Sequence, residues 1–399
     1  MKNLYIKTLT IAFFILFTNK ITANVVGNKL SKQLDSVEIS LLTCSPHNQI
    51  YSLYGHTALR YQDKSQGVDI VINYGVFSFH KPHFIIRFVL GLTDYEMGIQ
   101  NFPDFCNEYK GYGASVTQQV LNLTPYEKVD ILNALQQNYE IGNRVYRYNY
   151  FYNNCTTKAR DIILGCINGR IRYSNKEDSD VTFRKLIHKW NENHRWARFG
   201  NDMLLGVMSD RKISRTEQQF IPENLKQDFS NATIYTTNGK SRPLVKSTTI
   251  LVEPIPCIIE NDIFTPNVFF TTLSLFIIGI GLWETKKKKR IMIIDYTLLL
   301  CLFTVGLLLA IMVFSKHPTT NLNLQIIIFN PLAIFAIISL YKFRHKKESQ
   351  KKLWIIMFVM YLIGYICSFI QTFAEGIQVL ALSLLIKSIC NYYNAIKSK

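Results

Sequence analysis

The sequence predicts two parts: an α+β domain outside the cytoplasmic membrane, followed by an all-α membrane domain of five transmembrane helices. Three observations support this prediction. Residues 1–23 begin with lysines and continue into a short apolar run, which is the form of a secretory signal peptide. Residues 24–264 mix strand and helix patterns with polar loops. From residue 265 to residue 399, long apolar runs alternate with basic clusters.

The last third of the chain contains the predicted membrane spans. They are residues 267–283, 291–314, 325–341, 353–372 and 377–392. Fifteen lysines and arginines but only four acidic residues follow residue 266, mostly in clusters between these runs. With the α+β domain outside, five spans place each cluster in the cytoplasm, as the positive-inside rule requires. We therefore attribute the net charge of +17 to membrane topology and not to nucleic-acid binding.

One predicted loop faces the same side as the α+β domain. Residues 315–323 connect the second and third apolar runs, and they include His317, Asn321 and Asn323. Two interpretations stay open. The loop shapes or closes a site in the α+β domain, or it is a plain polar hairpin between two spans.

Cysteine usage excludes two classes of site. Eight cysteines are too few and too irregularly spaced for a disulfide scaffold, and no pair has the spacing of zinc ligands. Five of them precede the apolar region: Cys44, Cys106, Cys155, Cys166 and Cys257. Because this number is odd, at least one thiol of the domain is free or pairs with another molecule. We expect no metal and no cofactor.

Local patterns predict the elements of the α+β domain in order. Strands are predicted at residues 37–43, 54–61, 69–77, 95–100 and 116–121, with a helical segment at 84–90. The segment Thr124-Pro125-Tyr126-Glu127 is a capping box with proline at the first helical position, so a helix begins there. Further helices are predicted at 183–196 and 215–229, and a strand pair at 234–253 with a turn at Asn238-Gly239.

Cys155 is the strongest candidate for chemistry. Asn153 and Asn154 are good N-cap residues, and apolar residues recur at helical spacing after them. Cys155 then lies in the first helical turn, where unpaired amides and the helix dipole stabilise a thiolate. Such a cysteine is either a nucleophile, half of a disulfide or a small buried residue.

His56 is the candidate base for this thiol. Gly55 permits close backbone approach, and the strand that follows holds the imidazole ring rigidly. A thiol nucleophile needs a base and a third group that orients the base. Asn73, on the next predicted strand, is our candidate for that third group, although an ordinary polar strand residue explains it equally well. We expect these strands to form a small antiparallel sheet against the Cys155 helix.

Several segments resemble the Lnb-type lipoprotein N-acyltransferase domain family, in the long bacterial membrane version with C-terminal spanning helices. The matching segments, within residues 35–230, are Gly55-His56-Thr57-Ala58-Leu59-Arg60, Asn73-Tyr74-Gly75-Val76-Phe77-Ser78-Phe79, Tyr148-Asn149-Tyr150-Phe151-Tyr152-Asn153-Asn154-Cys155-Thr156-Thr157 and Asn201-Asp202-Met203-Leu204-Leu205-Gly206. The order of histidine before cysteine is also similar to permuted papain-like (NlpC-like) thiol folds.

The resemblance implies an acyl transfer at the outer face of the bacterial cytoplasmic (inner) membrane. Cys155 is then the nucleophile and His56 its base, and Asn154 helps the helix amides to hold an oxyanion. The implied partners are diacylglyceryl lipoproteins and phospholipids. Either the phospholipid or the lipoprotein's own ester is the acyl donor. The aromatic residues from Tyr148 to Tyr152 either line an acyl groove or pack in a core.

Two other functions use the same residues differently. A membrane-tethered cysteine peptidase or amidase of the NlpC type would use Cys155 and His56 but would transfer the acyl group to water. A non-catalytic anchored scaffold would hold Cys155 in a disulfide to Cys166 or Cys106. The five apolar runs favour lipid chemistry, because a cell-wall hydrolase needs only one anchor.

Overall fold

The computed structural model describes residues 34–47, 49–77, 82–174, 180–255, 263–346 and 350–397. The predicted signal peptide, residues 1–23, lies outside the described residues. The two predicted parts are present: an α+β domain precedes a group of apolar helices.

A seven-stranded antiparallel sheet forms the centre of the α+β domain. Its strand order is β10-β5-β1-β2-β3-β4-β6. The strands are β1 (Val37–Cys44), β2 (His56–Asp63), β3 (Val68–Val76), β4 (Asp94–Asn101), β5 (Val116–Leu121), β6 (Val145–Arg147) and β10 (Val245–Val252). The prediction of a small sheet was therefore wrong. The sheet is wide because β10, which is distant in sequence, pairs with β5 at one edge.

Helices cover both faces of this sheet. On one face α3 (Pro125–Tyr139), α4 (Cys155–Cys166) and α8 (Pro222–Ser230) pack on buried strand residues such as Leu59 and Ile72. On the other face α2 (Phe102–Gly111), which the sequence did not predict, packs Phe105 against Ala58. The short helix α1 (Phe84–Val89) lies between β3 and β4 in the chain. The capping box predicted at Thr124 and Glu127 is confirmed.

Two predicted helices are each divided into two. Residues 183–196 form α5 (Phe183–Trp190) and the start of α6 (Arg195–Leu204), because the buried Asn191 ends α5 and its side-chain amide binds the Tyr54 hydroxyl (3.1 Å). Residues 215–229 form α7 (Arg215–Gln218) and α8, since Pro222 stands in the first turn of α8, where a proline is accommodated.

The segment predicted as a strand pair at 234–253 forms three strands, β8 (Ala232–Tyr235), β9 (Ser241–Pro243) and β10. β8 and β9 form a hairpin, and β7 (Arg170–Tyr173) pairs with the other edge of β8. Gly239 occupies the turn with a positive φ of 76°, as the Asn-Gly prediction required. The chain then leaves this small sheet and enters the large one as β10.

Five helices fall at the five predicted apolar runs. They are α9 (Pro266–Lys287), α10 (Met292–Val313), α11 (Ala333–Lys346), α12 (Lys351–Cys367) and α13 (Ile377–Lys397). Among the described helices, α9, α10 and α13 are long and apolar enough to cross a membrane. The third run is not one continuous helix. A 3₁₀ turn at Leu324–Ile327 precedes α11, and the backbone at Phe329 packs directly on Gly306 of α10.

The loop between α10 and α11 docks on the α+β domain. The Gly206 and Val207 amides donate hydrogen bonds to the carbonyls of Thr319 and Leu322 (2.8 Å each), and the Asn323 side chain donates to the Met203 carbonyl (2.7 Å). A Cβ at Gly206 would lie 2.2 Å from the Leu322 oxygen, so only glycine permits this approach. The plain hairpin interpretation is therefore wrong: the loop is part of an interface.

A buried arginine holds the docking segment of the α+β domain. Arg184 is 1% exposed, and its guanidinium donates to Asp202 (2.7 Å) and Asp210 (2.8 Å). It also donates to the carbonyls of Leu205 and Gly206 (3.0 and 3.2 Å). These bonds fix the turn at residues 202–210, against which the membrane-domain loop packs.

We predict that Gly206→Ala weakens this interface. The added methyl group collides with the Leu322 carbonyl, and overpacking of this kind costs about 1–3 kcal/mol. The measurement is thermal unfolding of the purified full chain in detergent. Gly200→Ala is the matched control, because a Cβ at Gly200 in α6 meets nothing within 4 Å. Equal melting temperatures for the two variants would contradict the prediction.

Candidate active site

Cys155 is the first residue of α4, and a reciprocal cap holds it there. The Asn154 side-chain oxygen accepts a hydrogen bond from the Thr157 amide (2.9 Å), and the Thr157 hydroxyl accepts one from the Asn154 amide (2.9 Å). The prediction that an asparagine caps this helix is confirmed. The cap satisfies backbone N–H donors of the first turn, and it fixes the start of the helix and thereby the position of the Cys155 thiol.

All hydrogen-bonding groups of the Asn154 side chain are bound to other parts of the protein. Its amide nitrogen donates to the carbonyls of Tyr150 (3.0 Å) and Phe220 (2.9 Å). Both amide hydrogens are thereby used, and the oxygen already accepts from Thr157. This corrects the role expected for Asn154 as a helper that donates to an oxyanion. Asn154 instead positions Cys155 by tying the start of α4 to two loops.

His56 and Asn73 lie together on the large sheet. Asn73 pairs with Ala58, two residues after His56, so the two side chains share one face of the sheet. The His56 Nε2–H donates to Asn73 Oδ1 at 3.1 Å. This bond orients the imidazole ring, because the amide oxygen can only accept.

The chain reaches this geometry through a glycine, because the backbone at this position suits no other residue. Gly55, just before His56, has a positive φ of 79°, and a Cβ there would lie 2.5 Å from the Cys44 carbonyl oxygen. Any other residue would displace the start of β2 and the imidazole with it.

The thiol of Cys155 and the imidazole of His56 shift each other's pKa. Burial by itself raises the pKa of Cys155, but the adjacent His56 imidazolium, a hydrogen bond from His56 and the Thr57 amide lower it to about 7 from the ordinary 9.0. Burial likewise lowers the pKa of His56, but the Cys155 thiolate and the Asn73 bond outweigh it and leave the pKa raised. The thiol of Cys155 therefore ionises near neutral pH, and the same pairing favours the charged form of His56.

The other thiols of the domain behave in the opposite way. Burial raises the pKa of Cys44, Cys106 and Cys166 above the ordinary value. Cys155, Cys106 and Cys166 are all free thiols, so the disulfides expected for a scaffold are not formed. Among these cysteines, only Cys155 has the electrostatic surroundings of a nucleophile.

A cavity of about 610 Å³ opens over Cys155 and His56. Phenylalanine and tyrosine side chains form a large part of its walls, with Tyr95 stacked on Tyr148 at 4.1 Å between ring centroids. The end of α10 contributes Met312 to the lining, and the loop that follows contributes His317, Thr319 and Thr320. The site is thus formed jointly by the α+β domain and the membrane domain. The size and the apolar lining suit an acyl chain.

The aromatic stretch before Cys155 divides between the two roles left open by its sequence. Tyr148, Tyr150 and Phe151 line the cavity, and Phe151 is also buried against Phe183 at 4.4 Å. Tyr152 points away, and its hydroxyl accepts from Arg211 at 3.0 Å.

Of the remaining histidines of the domain, His47 also lines the cavity, where it stacks on Tyr112 at 4.3 Å. His83 precedes α1, and His188 binds Asp202 at 2.9 Å. His194 precedes α6. His80 lies outside the described residues. Within the part of the chain that the structure describes, no group of three or more potential ligands is arranged to hold a metal ion.

Sequence reasoning missed two threonines, whereas the loop of His317 had been named as one that shapes or closes a site. The Thr57 amide bonds to the Cys155 sulfur, and the Thr57 hydroxyl donates to the Thr156 hydroxyl (3.1 Å), which is 3.8 Å from that sulfur. His317 reaches the cavity from the membrane domain. Both threonines lie in the segments that resemble the Lnb-type family, but a threonine by itself does not indicate a role in a thiol site.

The fold and the site define a class: a membrane protein whose outer domain holds a thiol of lowered pKa in a cavity shared with its helical domain. Two family models match the chain, the Lnb N-terminal periplasmic domain over residues 29–189 and the Lnb transmembrane domain over residues 258–399. Together they cover more than half of the chain, so it belongs to the Lnb family. It is an inner-membrane protein with a periplasmic domain.

The Lnb family is associated with the enzymatic modification of lipoproteins. A search of curated proteins and of solved structures found no significant match.

We predict that Cys155 is alkylated by iodoacetamide with a midpoint near pH 7, because only the thiolate reacts. Below that pH the thiolate is protonated and the rate falls. His56→Gln removes the imidazolium and leaves burial dominant, so the midpoint rises. The measurement is mass spectrometry of the Cys155 peptide across pH, with the Cys166 peptide of the same sample as internal control. A midpoint near 9 in both proteins would contradict the predicted pair.

Proposed function

We propose that this protein is a lipoprotein N-acyltransferase that moves an acyl chain through a Cys155 thioester to the α-amine of a diacylglyceryl-cysteine lipoprotein. The observation that carries the proposal is the Cys155–His56 pair under an apolar cavity shared with the membrane domain. Both substrates are lipids of the inner membrane, and the cavity lies at the junction with that membrane.

The first step forms the thioester. The Cys155 thiolate attacks the ester carbonyl of a lipid, and a tetrahedral oxyanion forms. The carbon–oxygen bond then breaks, and the His56 imidazolium gives its proton to the departing alcohol. The amides of the first turn of α4 are the donors suited to the oxyanion, since the Asn154 side chain is engaged elsewhere.

The second step forms the amide. The α-amine attacks the thioester carbonyl, neutral His56 accepts the amine proton, and the Cys155 thiolate leaves. The charged pair is thereby restored. A thioester is reactive enough to convert an ester into an amide without ATP. Asn73 supports both steps by holding His56 in one orientation.

We also propose that residues 24–264 form the acyltransferase domain and residues 265–399 a domain of five spans. The two shorter helices, α11 and α12, are included because they lie at predicted apolar runs and because five spans keep each basic cluster in the cytoplasm. α12 has 17 residues, so it is about 25 Å long. A permuted papain-like arrangement is consistent with a cysteine at a helix start and a histidine on the sheet.

The cell-wall hydrolase remains the alternative to be tested. It would use the same pair but would deliver the acyl group to water. The apolar cavity and its membrane-domain wall favour the transferase, because a thioester enclosed by aromatic rings is protected from water.

The decisive experiment is mass spectrometry of a lipoprotein's N-terminal peptide. The host is a bacterium that lacks its own N-acyltransferase and carries this chain, Cys155→Ala, or the matched control Cys166→Ala in the same helix. We expect an amide-linked acyl group with the intact chain and with Cys166→Ala only. If two acyl chains remain on the glycerol of the lipoprotein, a phospholipid was the acyl donor. If one acyl chain remains, the lipoprotein's own ester was the donor. An unacylated peptide despite well-inserted protein would overturn the proposal, and cell-wall fragments would be assayed next.

We predict that His56→Gln lowers the N-acylation rate by about 10²–10⁴-fold, the usual contribution of a general acid–base group. His194→Gln, at the start of α6, is the control and leaves the rate unchanged. The rate is measured with a synthetic lipopeptide and the full chain in nanodiscs. A His56→Gln rate within threefold of the intact chain would exclude His56 as the base.

A further inference from the structure

The short helix α1 exposes an unusual amount of apolar surface. Its sequence is Phe-Ile-Ile-Arg-Phe-Val, yet none of its residues is buried. Ile85 is 77% exposed and Ile86 is 60% exposed. Single exposed apolar residues are ordinary, but a whole turn of them on an otherwise soluble domain marks an interaction surface.

The single charged side chain of α1 is turned back on the domain. Arg87 donates to the Leu92 carbonyl (3.2 and 3.1 Å) and to the Asp94 carboxylate (2.7 Å). The guanidinium is therefore occupied by groups behind the helix. The outward face that remains is formed by hydrocarbon side chains.

Hydrogen bonds connect α1 to the residues just beyond the outer end of the apolar helix α10. α10 has 22 residues, so it is about 33 Å long, close to the hydrocarbon thickness of a bilayer. Just beyond its end, the Lys316 amide donates to the Leu90 carbonyl (3.0 Å), and the His317 imidazole donates to the Phe88 carbonyl (3.0 Å). α1 thus lies at the level where α10 leaves the hydrocarbon.

A glycine allows this close contact. Gly91, with a positive φ of 67°, follows α1, and a Cβ there would lie 2.9 Å from the His317 amide nitrogen. The contact between α1 and the end of α10 is therefore a built feature of the interface, since any larger residue would separate the two.

The two sides of α1 serve different surroundings. Phe84 and Phe88, one turn apart and stacked at 6.3 Å, line the cavity over Cys155. Ile85 and Ile86 lie on the other side and are exposed. A helix with one side in the cavity and the other side exposed forms a lip of the cavity.

We propose that α1 inserts its Ile85 and Ile86 side chains into the outer leaflet of the inner membrane. The occupant of this surface is the boundary between lipid headgroups and acyl chains, because the surface continues the apolar outer end of α10. Acyl chains then pass from the leaflet over Phe84 and Phe88 into the cavity without crossing water.

Photocrosslinking of the full chain tests this proposal. Benzoylphenylalanine replaces Ile85, Ile86 or Ile141 in turn, in nanodiscs of phosphatidylethanolamine and phosphatidylglycerol. Ile141 is the matched control: it is 83% exposed, and it lies in the loop before β6. β4 begins at Asp94, close to α1, and pairs with β6 in the antiparallel direction. Farther along β4, the Met97 amide donates to the Arg144 carbonyl, three residues after Ile141. The control position is therefore at the end of this strand pair that points away from α1.

The expected result is a phospholipid adduct on the peptides of positions 85 and 86, at least tenfold above that of position 141. Adducts at the level of position 141, or adducts joining two copies of the chain, would overturn the proposal. Alkylation of Cys155 at the rate of the intact chain verifies that each substituted protein is folded. A chain that forms lipid adducts but never acylates a lipoprotein would support the interfacial helix and overturn the proposed function alone.

Discussion

The buried Arg184 guanidinium is the constraint on which the composite site depends. A cation with almost no contact to water is stable only when charges and carbonyls surround it, and Asp202, Asp210 and the turn at residues 205–206 supply them. In doing so they hold the turn in one shape. The membrane-domain loop docks on that shape through Gly206 and Asn323, and the loop in turn completes the cavity.

The site itself balances two opposed electrostatic effects. An apolar cavity suits a lipid, but burial disfavours a thiolate. The His56 imidazolium and the Thr57 amide outweigh burial and keep the pKa of Cys155 about 7. The Asn73 bond keeps the imidazole aligned for this task. A thiol can therefore lie in an apolar cavity and still ionise near neutral pH.

Local chemistry explains what was predictable from sequence. The caps at Thr124 and Asn154, the Asn238-Gly239 turn and the β2–β3 hairpin depend on residues a few positions apart, so a single sequence reveals them. The pairing of β10 with β5 was missed because it joins segments separated by more than a hundred residues. The helix break after Trp190 was missed because a tertiary contact of Asn191 with Tyr54 causes it.

The sequence by itself determined the order of an outer α+β domain and a helical membrane domain, and it singled out Cys155, His56 and Asn73. It could do so because hydrophobic runs, charge asymmetry and turn residues act locally. Only the tertiary structure decided that Asn154 is a cap with no free donor, that His317 reaches the cavity, and that α1 forms its lip. Those outcomes depend on which segments distant in sequence meet in the folded chain, so tertiary packing decides them and local sequence patterns do not.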